Sequence, residues 1–290
     1  MTAFRPDRIA TLYFFHPLRR LLGRTAAGIP ILMYHSISDG PELRRNAYFH
    51  TRTSPRVFRD HLSLLAREGY KTIGLAEAVR KLKQSAGTDE KLVVLTFDDG
   101  FADFYTEAFP ALSAFGYTAT MFLPTAYIDA PGQFNGTTCL TWSQVRELHA
   151  AGIEFGSHTA THPQLTTLPA QDIEREIVSS KREIEDRLGE PVASFSYPYK
   201  FPEPDRTFRR GLRDTLMRAG YENGVTTIVG TADSVSDPLF LERIPVNSSD
   251  DNAFFGAKLQ RGYDWVHGLQ LAYKRGAVRA PAYQAQSCTL

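Results

Sequence analysis

The chain of 290 residues holds only two cysteines, Cys139 and Cys288, too few for a disulfide framework and too far apart for a C-x-x-C metal site. Its N-terminal apolar run, residues 9–15, is broken by His16, Pro17, Arg19 and Arg20 before a signal-peptide core or a bilayer span is complete. No cleaved export signal is read, and a cytoplasmic location is expected. Lys+Arg 33 and Asp+Glu 32 nearly cancel, so no global field draws the chain to nucleic acid. Gly 21 and Pro 17 are too few for a fibrous or low-complexity chain. There is no G-x-S-x-G, which leaves a serine hydrolase without its usual nucleophile turn.

What is present is a globular composition, 42% hydrophobic and 22% charged, long enough to bury a full core. The charge is uneven. Residues 1–30 carry five arginines against one aspartate, and residues 257–290 carry five lysines and arginines against one aspartate, so the acidic excess lies between them. The expected organisation is a basic N-terminal segment (1–29), one domain (30–256), and a basic C-terminal helix and tail (257–290). The first segment, FRPDRIATLYFFHPLRRLLGR, suits either peripheral contact with an anionic inner-membrane surface or a helix packed on the domain's flank.

Four times an apolar helical segment closes with Leu-x-x-x-Gly and runs into a strand-like stretch, ending at Gly69, Gly116, Gly152 and Gly220. Glycine there suits the left-handed residue that ends a helix. Ser54 before Pro55, with Phe58, Leu62 and Leu65 on one face, predicts a helix over 55–68. Ile173, Ile177, Ile184 and Leu188 stripe a charged segment whose remaining face reads as solvated. Strands are expected at 31–35, 92–97, 119–123, 153–157, 193–197 and 224–229, several of them continuous apolar runs suited to a parallel sheet buried on both faces. Trp142 reads as the packed start of a helix. The pattern is α/β, and periodicity leaves a parallel barrel and a doubly wound sheet both open.

Active sites of parallel α/β folds lie at the C-terminal ends of the strands. There the sequence places His35, Asp98-Asp99-Gly100 and the run His158-Thr-Ala-Thr-His162. Singly, each suits a structural role: a turn, a cap, a satisfied core histidine. Together they suit a metal, since two imidazoles four residues apart on one side of a helical turn, with a carboxylate, make a divalent-ion set that leaves positions for water and substrate. A cation held by one of two adjacent carboxylates relieves their repulsion and leaves the other as a base.

TFDDG (96–100), HTATH followed by Pro163 and Leu165, and FSYPY (195–199) resemble the first three motifs of the polysaccharide deacetylases, the carbohydrate esterases of family four that share the NodB homology domain. The resemblance runs from about residue 30 to 250. It implies a deformed (β/α) barrel and metal-dependent removal of N-acetyl groups from N-acetylglucosamine-type residues of a polysaccharide or glycan precursor. By position it implies that Asp99, His158 and His162 hold one divalent ion, Zn²⁺ or else Co²⁺ or Ni²⁺, and that Asp98 is the base. It also implies that the Tyr199 backbone N–H holds the oxyanion. Tyr197, Tyr199 and Phe134 are candidates to stack on sugar rings.

The chain departs from the family pattern twice. Ser196 stands where many members carry an arginine that steadies the base, and Arg243 in LERIPV is either its substitute or a surface ion pair. The late strand reads Leu241-Glu242-Arg243, without the family's late histidine. LMYH (32–35), however, is similar to the subgroup acting on poly-N-acetylglucosamine, which implies His35 as the general acid. A non-catalytic glycan-binding relative, or a deacylase of a small or lipid-linked amide, is the alternative.

Overall fold

The computed structural model describes residues 5–22, 28–40, 47–84 and 90–279; Cys288 and the C-terminal tail lie outside the described residues. Seven strands carry the fold: β1 (Ile31–Tyr34), β2 (Leu92–Phe97), β3 (Thr120–Leu123), β4 (Glu154–Ser157), β5 (Ser194–Ser196), β6 (Asn223–Val229) and β7 (Leu241–Pro245). They pair in the order β1-β7-β6-β5-β4-β3-β2, and β2 pairs again with β1. Every pairing is parallel, so the sheet closes into a (β/α) barrel, resolving the choice that periodicity left open. Closure is uneven: β1 pairs along its whole length with β2 but over two residues with β7, and β7 shifts register between Leu241 and Arg243. The closing strand β7 is absent from the six expected on composition, because Glu242, Arg243 and Pro245 interrupt its apolar run.

Side chains two apart on a strand share a face. One cluster of buried apolar residues joins Ile31, Val94, Phe122, Val225 and Leu241, from five different strands. Continuing along the same faces toward the strand ends leads through Met33, Thr96 and Arg243 to His35 and Asp98. Gly156, two residues before His158, lets the barrel close around Phe122: a Cβ there would lie 2.6 Å from that ring and 2.8 Å from the Ser194 carbonyl oxygen.

The helices form where the sequence predicts them. Pro55–Arg67 is capped by the Ser54 hydroxyl, which accepts from the Val57 N–H, and the four capping glycines have φ between 65° and 92°. Trp142 opens the helix Trp142–Ala150 behind a capping box made by Thr141 and Gln144, and is buried. The 256/257 boundary falls inside the helix Asn252–Leu259, whose Phe254 and Phe255 belong to the main core. The N-terminal segment is helical from Pro6 to Leu21, with one wide turn at Thr11–Phe15. It packs on the flank, where the Trp265 indole donates to the buried Thr11 hydroxyl and Phe15 stacks on Trp265 at 4.4 Å.

Candidate metal centre and base

β2 delivers Asp98 and Asp99 to the barrel mouth, and two successive left-handed residues, Asp99 (φ 75°) and Gly100 (φ 62°), turn the chain there. β4 delivers His158, whose N–H donates to the Leu123 carbonyl. The run from His158 to His162 is not the helical turn expected. It is a loop with left-handed φ at Thr159 (66°) and His162 (54°), closed by the Thr159 hydroxyl accepting from the His162 N–H. Tyr199 adds a fourth non-glycine positive φ, 58°. Such conformations cost energy and gather at functional sites.

The loop rests on Glu176, which accepts from the N–H groups of Ala160 and Thr161 at 2.9 and 2.8 Å and from the Thr161 hydroxyl. The helix Ala170–Leu188 is therefore not solvated on all of its polar face, as the sequence suggested. Sequence reasoning missed Glu176 as a support of this loop, since nothing in its charged surroundings marks it.

Asp99, His158 and His162 converge. The Asp99 Oδ1 lies 3.6 Å from His158 Nε2 and 3.4 Å from His162 Nε2, and the two Nε2 atoms are 3.2 Å apart. The His158 Nδ1 lies 2.8 Å from the Ser196 carbonyl, so it donates there and leaves Nε2 as a lone pair. Asp99 Oδ1 is buried without a hydrogen-bond partner. Ligands held about 2.1 Å from one tetrahedral ion stand roughly 3.4 Å apart, which is the spacing found. Burial, reinforced by the neighbouring Asp98, pushes the Asp99 carboxyl well above its usual range, and burial lowers both histidines, His162 to about 3. A carboxyl whose ionisation burial opposes, beside two imidazoles that burial favours as neutral, is a donor set suited to a cation. Among the described residues this is the one group of three such side chains close enough to share an ion.

Asp98 is held differently. Arg243, fully buried, donates to both its oxygens at 2.9 and 2.7 Å, and the Ser196 hydroxyl donates at 3.2 Å. The guanidinium is itself fixed by the Thr226 carbonyl and the Thr96 hydroxyl. Burial would raise the Asp98 carboxyl, but Arg243 outweighs it, with His158 and His35 adding to the effect, and holds the group far below the carboxylate range. Two sequence neighbours thus have opposite proton affinities. His35 follows β1 with its Nε2 4.0 Å from Asp98 Oδ2; burial, only partly offset by Asp98, lowers it to about 4. Arg243 is not a surface ion pair, and Thr96 is a further partner that sequence reasoning did not single out.

Of the aromatic candidates, Tyr199 is 48% exposed with its ring 4.6 Å from that of His162. Tyr197 is buried against Phe201 and Phe208 and offers no face to a ligand, the chain leaving its extended path at Tyr199, where φ is 58°. Phe134 is buried too, its edge against His162 at 5.1 Å.

Residues 85–222 match the polysaccharide deacetylase family. YxkH of Bacillus subtilis (strain 168) is 33% identical over 237 residues, 81% of this chain and 77% of that protein. The poly-β-1,6-N-acetyl-D-glucosamine N-deacetylase of Escherichia coli (strain K12) is 30% identical over 142 residues, 46% of this chain and 20% of that protein. The solved structure of Streptococcus pyogenes deacetylase PplD in complex with acetate superposes with a TM-score of 0.70 at 28% identity, covering 82% of this chain and 99% of that one. IcaB from Ammonifex degensii shares the fold, with a TM-score of 0.65 at 23% identity over 81% of this chain and 97% of that one.

These similarities make the protein a deacetylase, a hydrolase of N-acetyl amide bonds in polysaccharides. The chain belongs to the polysaccharide deacetylase family.

Proposed function

We propose that this chain removes acetyl groups from N-acetylglucosamine-type residues of a glycan, using one divalent ion, Zn²⁺ first among the candidates, held by Asp99, His158 and His162. The observation that carries the reading is the convergence of those three ligand atoms beside an acid that Arg243 keeps ionised. The similarity to a poly-N-acetylglucosamine deacetylase supports the glucosamine-type substrate.

A divalent ion there would polarise the acetamide carbonyl and acidify a water. Asp98 takes a proton from the attacking water. A carboxylate with so low a proton affinity is a weak base, adequate toward acidified water only, and it gives the proton up readily. His35, 4.0 Å away and of higher proton affinity, is the acceptor. His35 then protonates the departing nitrogen, the C–N bond breaks, and the products are acetate and a free amine. Tyr199 contributes its backbone N–H to the oxyanion.

The test is acetate release from N-acetylglucosamine oligomers, with chelator and after restoring Zn²⁺, Co²⁺ or Ni²⁺. Release abolished by chelation and restored by metal is expected. Glycan binding without acetate at any metal loading would favour the non-catalytic alternative.

A further inference from the structure

Large apolar side chains exposed to solvent are not scattered over this protein. Of the thirteen among the described residues, seven lie between Ile9 and Leu22 and two on the helix Val266–Arg279. The N-terminal helical segment is anchored along a narrow stripe: Thr11 is buried, Leu12 packs on the core, and His16 meets Gln260 at 2.9 Å. The rest of its circumference faces outward, with Tyr13 70%, Phe14 72% and Leu21 84% exposed and Leu18 between them. Phe15, stacked on Trp265, joins this surface to the start of the last helix, which exposes Leu269 and Tyr273. An apolar surface so concentrated implies a partner.

The charge pattern selects that partner. Neither residues 8–38 nor residues 265–290 contain a single Asp or Glu, while the exposed Arg20 and Arg275 stand beside the apolar side chains. The carboxylates that reach these helices from elsewhere, Asp251 and Glu203, are paired with Arg8, His267 and Lys274, and an apolar face with further cations beside it fits the boundary between acyl chains and anionic headgroups. No helix among the described residues is long and apolar enough to cross a membrane, so the contact would be peripheral. The surface also reaches the mouth of the barrel. Lys200, next to Tyr199, lies over the Tyr273 ring at 4.6 Å, and Gln270 donates to the Thr227 carbonyl while the Thr227 hydroxyl donates to that of Tyr199.

We infer that the two terminal helices form one surface that docks on an anionic bilayer and holds the barrel mouth at the lipid–water interface. Tyr13, Phe14 and Leu18 enter the headgroup region, and Arg20 and Arg275 meet lipid phosphates. The inference rests on the surface alone and stands whichever glycan the site accepts.

Co-sedimentation of the full chain with vesicles of phosphatidylglycerol and phosphatidylcholine, against phosphatidylcholine alone, tests it. Binding to the anionic vesicles that weakens with salt is expected. A Tyr13→Ser, Phe14→Ser, Leu18→Ser variant should lose at least tenfold in vesicle affinity, and Arg20→Gln with Arg275→Gln should lose the preference for anionic lipid. Unchanged melting temperature and acetate release from a soluble oligosaccharide would show that both variants remain folded. Equal binding by wild type and the serine variant would overturn the inference. So would wild-type protein that ignores both vesicles but sediments as a dimer which the serine substitutions dissociate, since the surface would then pair with a second copy of the chain.

Discussion

At the scale of single residues, proton affinities are set by partners more than by residue type. Asp98 and Asp99 are adjacent and both buried, yet only Asp98 faces Arg243. Asp98→Asn should abolish acetate release while metal content measured by mass spectrometry stays at one ion, whereas His158→Ala should lose metal and turnover together. Arg243→Lys keeps the charge but not the paired donation to both oxygens. We expect kcat to fall at least tenfold with KM little changed and the acid limb of the pH profile to move upward; a profile identical to wild type would restrict Arg243 to folding. His35 offers a direct measurement. With its affinity lowered to about 4, its imidazole NMR signals in metal-free protein should stay in the neutral form down to pH 5, and titration near 6.5 would show that burial does not hold the resting imidazole neutral.

At the scale of elements, the loop from His158 to His162 and the long helix behind it are tied together. Glu176 reaches from the helix to three donors of the loop between the two candidate ligand histidines, and the buried hydroxyls of Ser157 and Ser180 meet across the same junction. Glu176→Ala should weaken metal binding by about 10–100-fold, the usual cost of removing a group that orients ligands, without changing far-ultraviolet circular dichroism. Capping is a more local matter. Thr141→Ala removes the hydroxyl that accepts from the Gln144 N–H and should cost about 1 kcal/mol in urea unfolding, with no effect on metal affinity.

For the molecule as a whole, a buried polar chain ties the N-terminal segment to the barrel. Tyr34, the last residue of β1, lies 3.1 Å from His61 Nδ1, and His61 Nε2 lies 2.7 Å from the Asp250 carbonyl. Lys258 pairs with the Asp250 carboxylate, which has Arg5 3.8 Å away. His61 therefore carries its proton on Nε2 and accepts from the Tyr34 hydroxyl, and burial holds its proton affinity below the usual value. In the unfolded chain it takes a second proton near pH 6.5, so its contribution to stability is complete above that pH and is lost as pH falls toward the folded value. The slope from this one group reaches at most about 1.4 kcal/mol per pH unit. Urea unfolding at pH 7.5 and 5.5 should show wild type losing more stability on acidification than His61→Gln; equal losses would assign the effect elsewhere.

The sequence by itself determined what depends on neighbours along the chain. Helix starts and stops were legible at Ser54, Trp142 and the four capping glycines, because a helix end is set by residues three or four apart. The motif residues at the strand ends, Asp98-Asp99 and the paired histidines, were legible as chemistry from their residue types and order, although the helical turn expected between the histidines is a loop. Only the tertiary structure decided what depends on closure. Arg243 is 145 residues from Asp98 and meets it because β7 completes the ring and turns the face that holds Leu241 into the barrel. Tyr197 and Tyr199 look equivalent in the sequence, but one is buried in the core and the other stands at the mouth, since the segment turns between them. Local rules fix which backbone forms; the register of a closed sheet fixes which distant side chains share its interior.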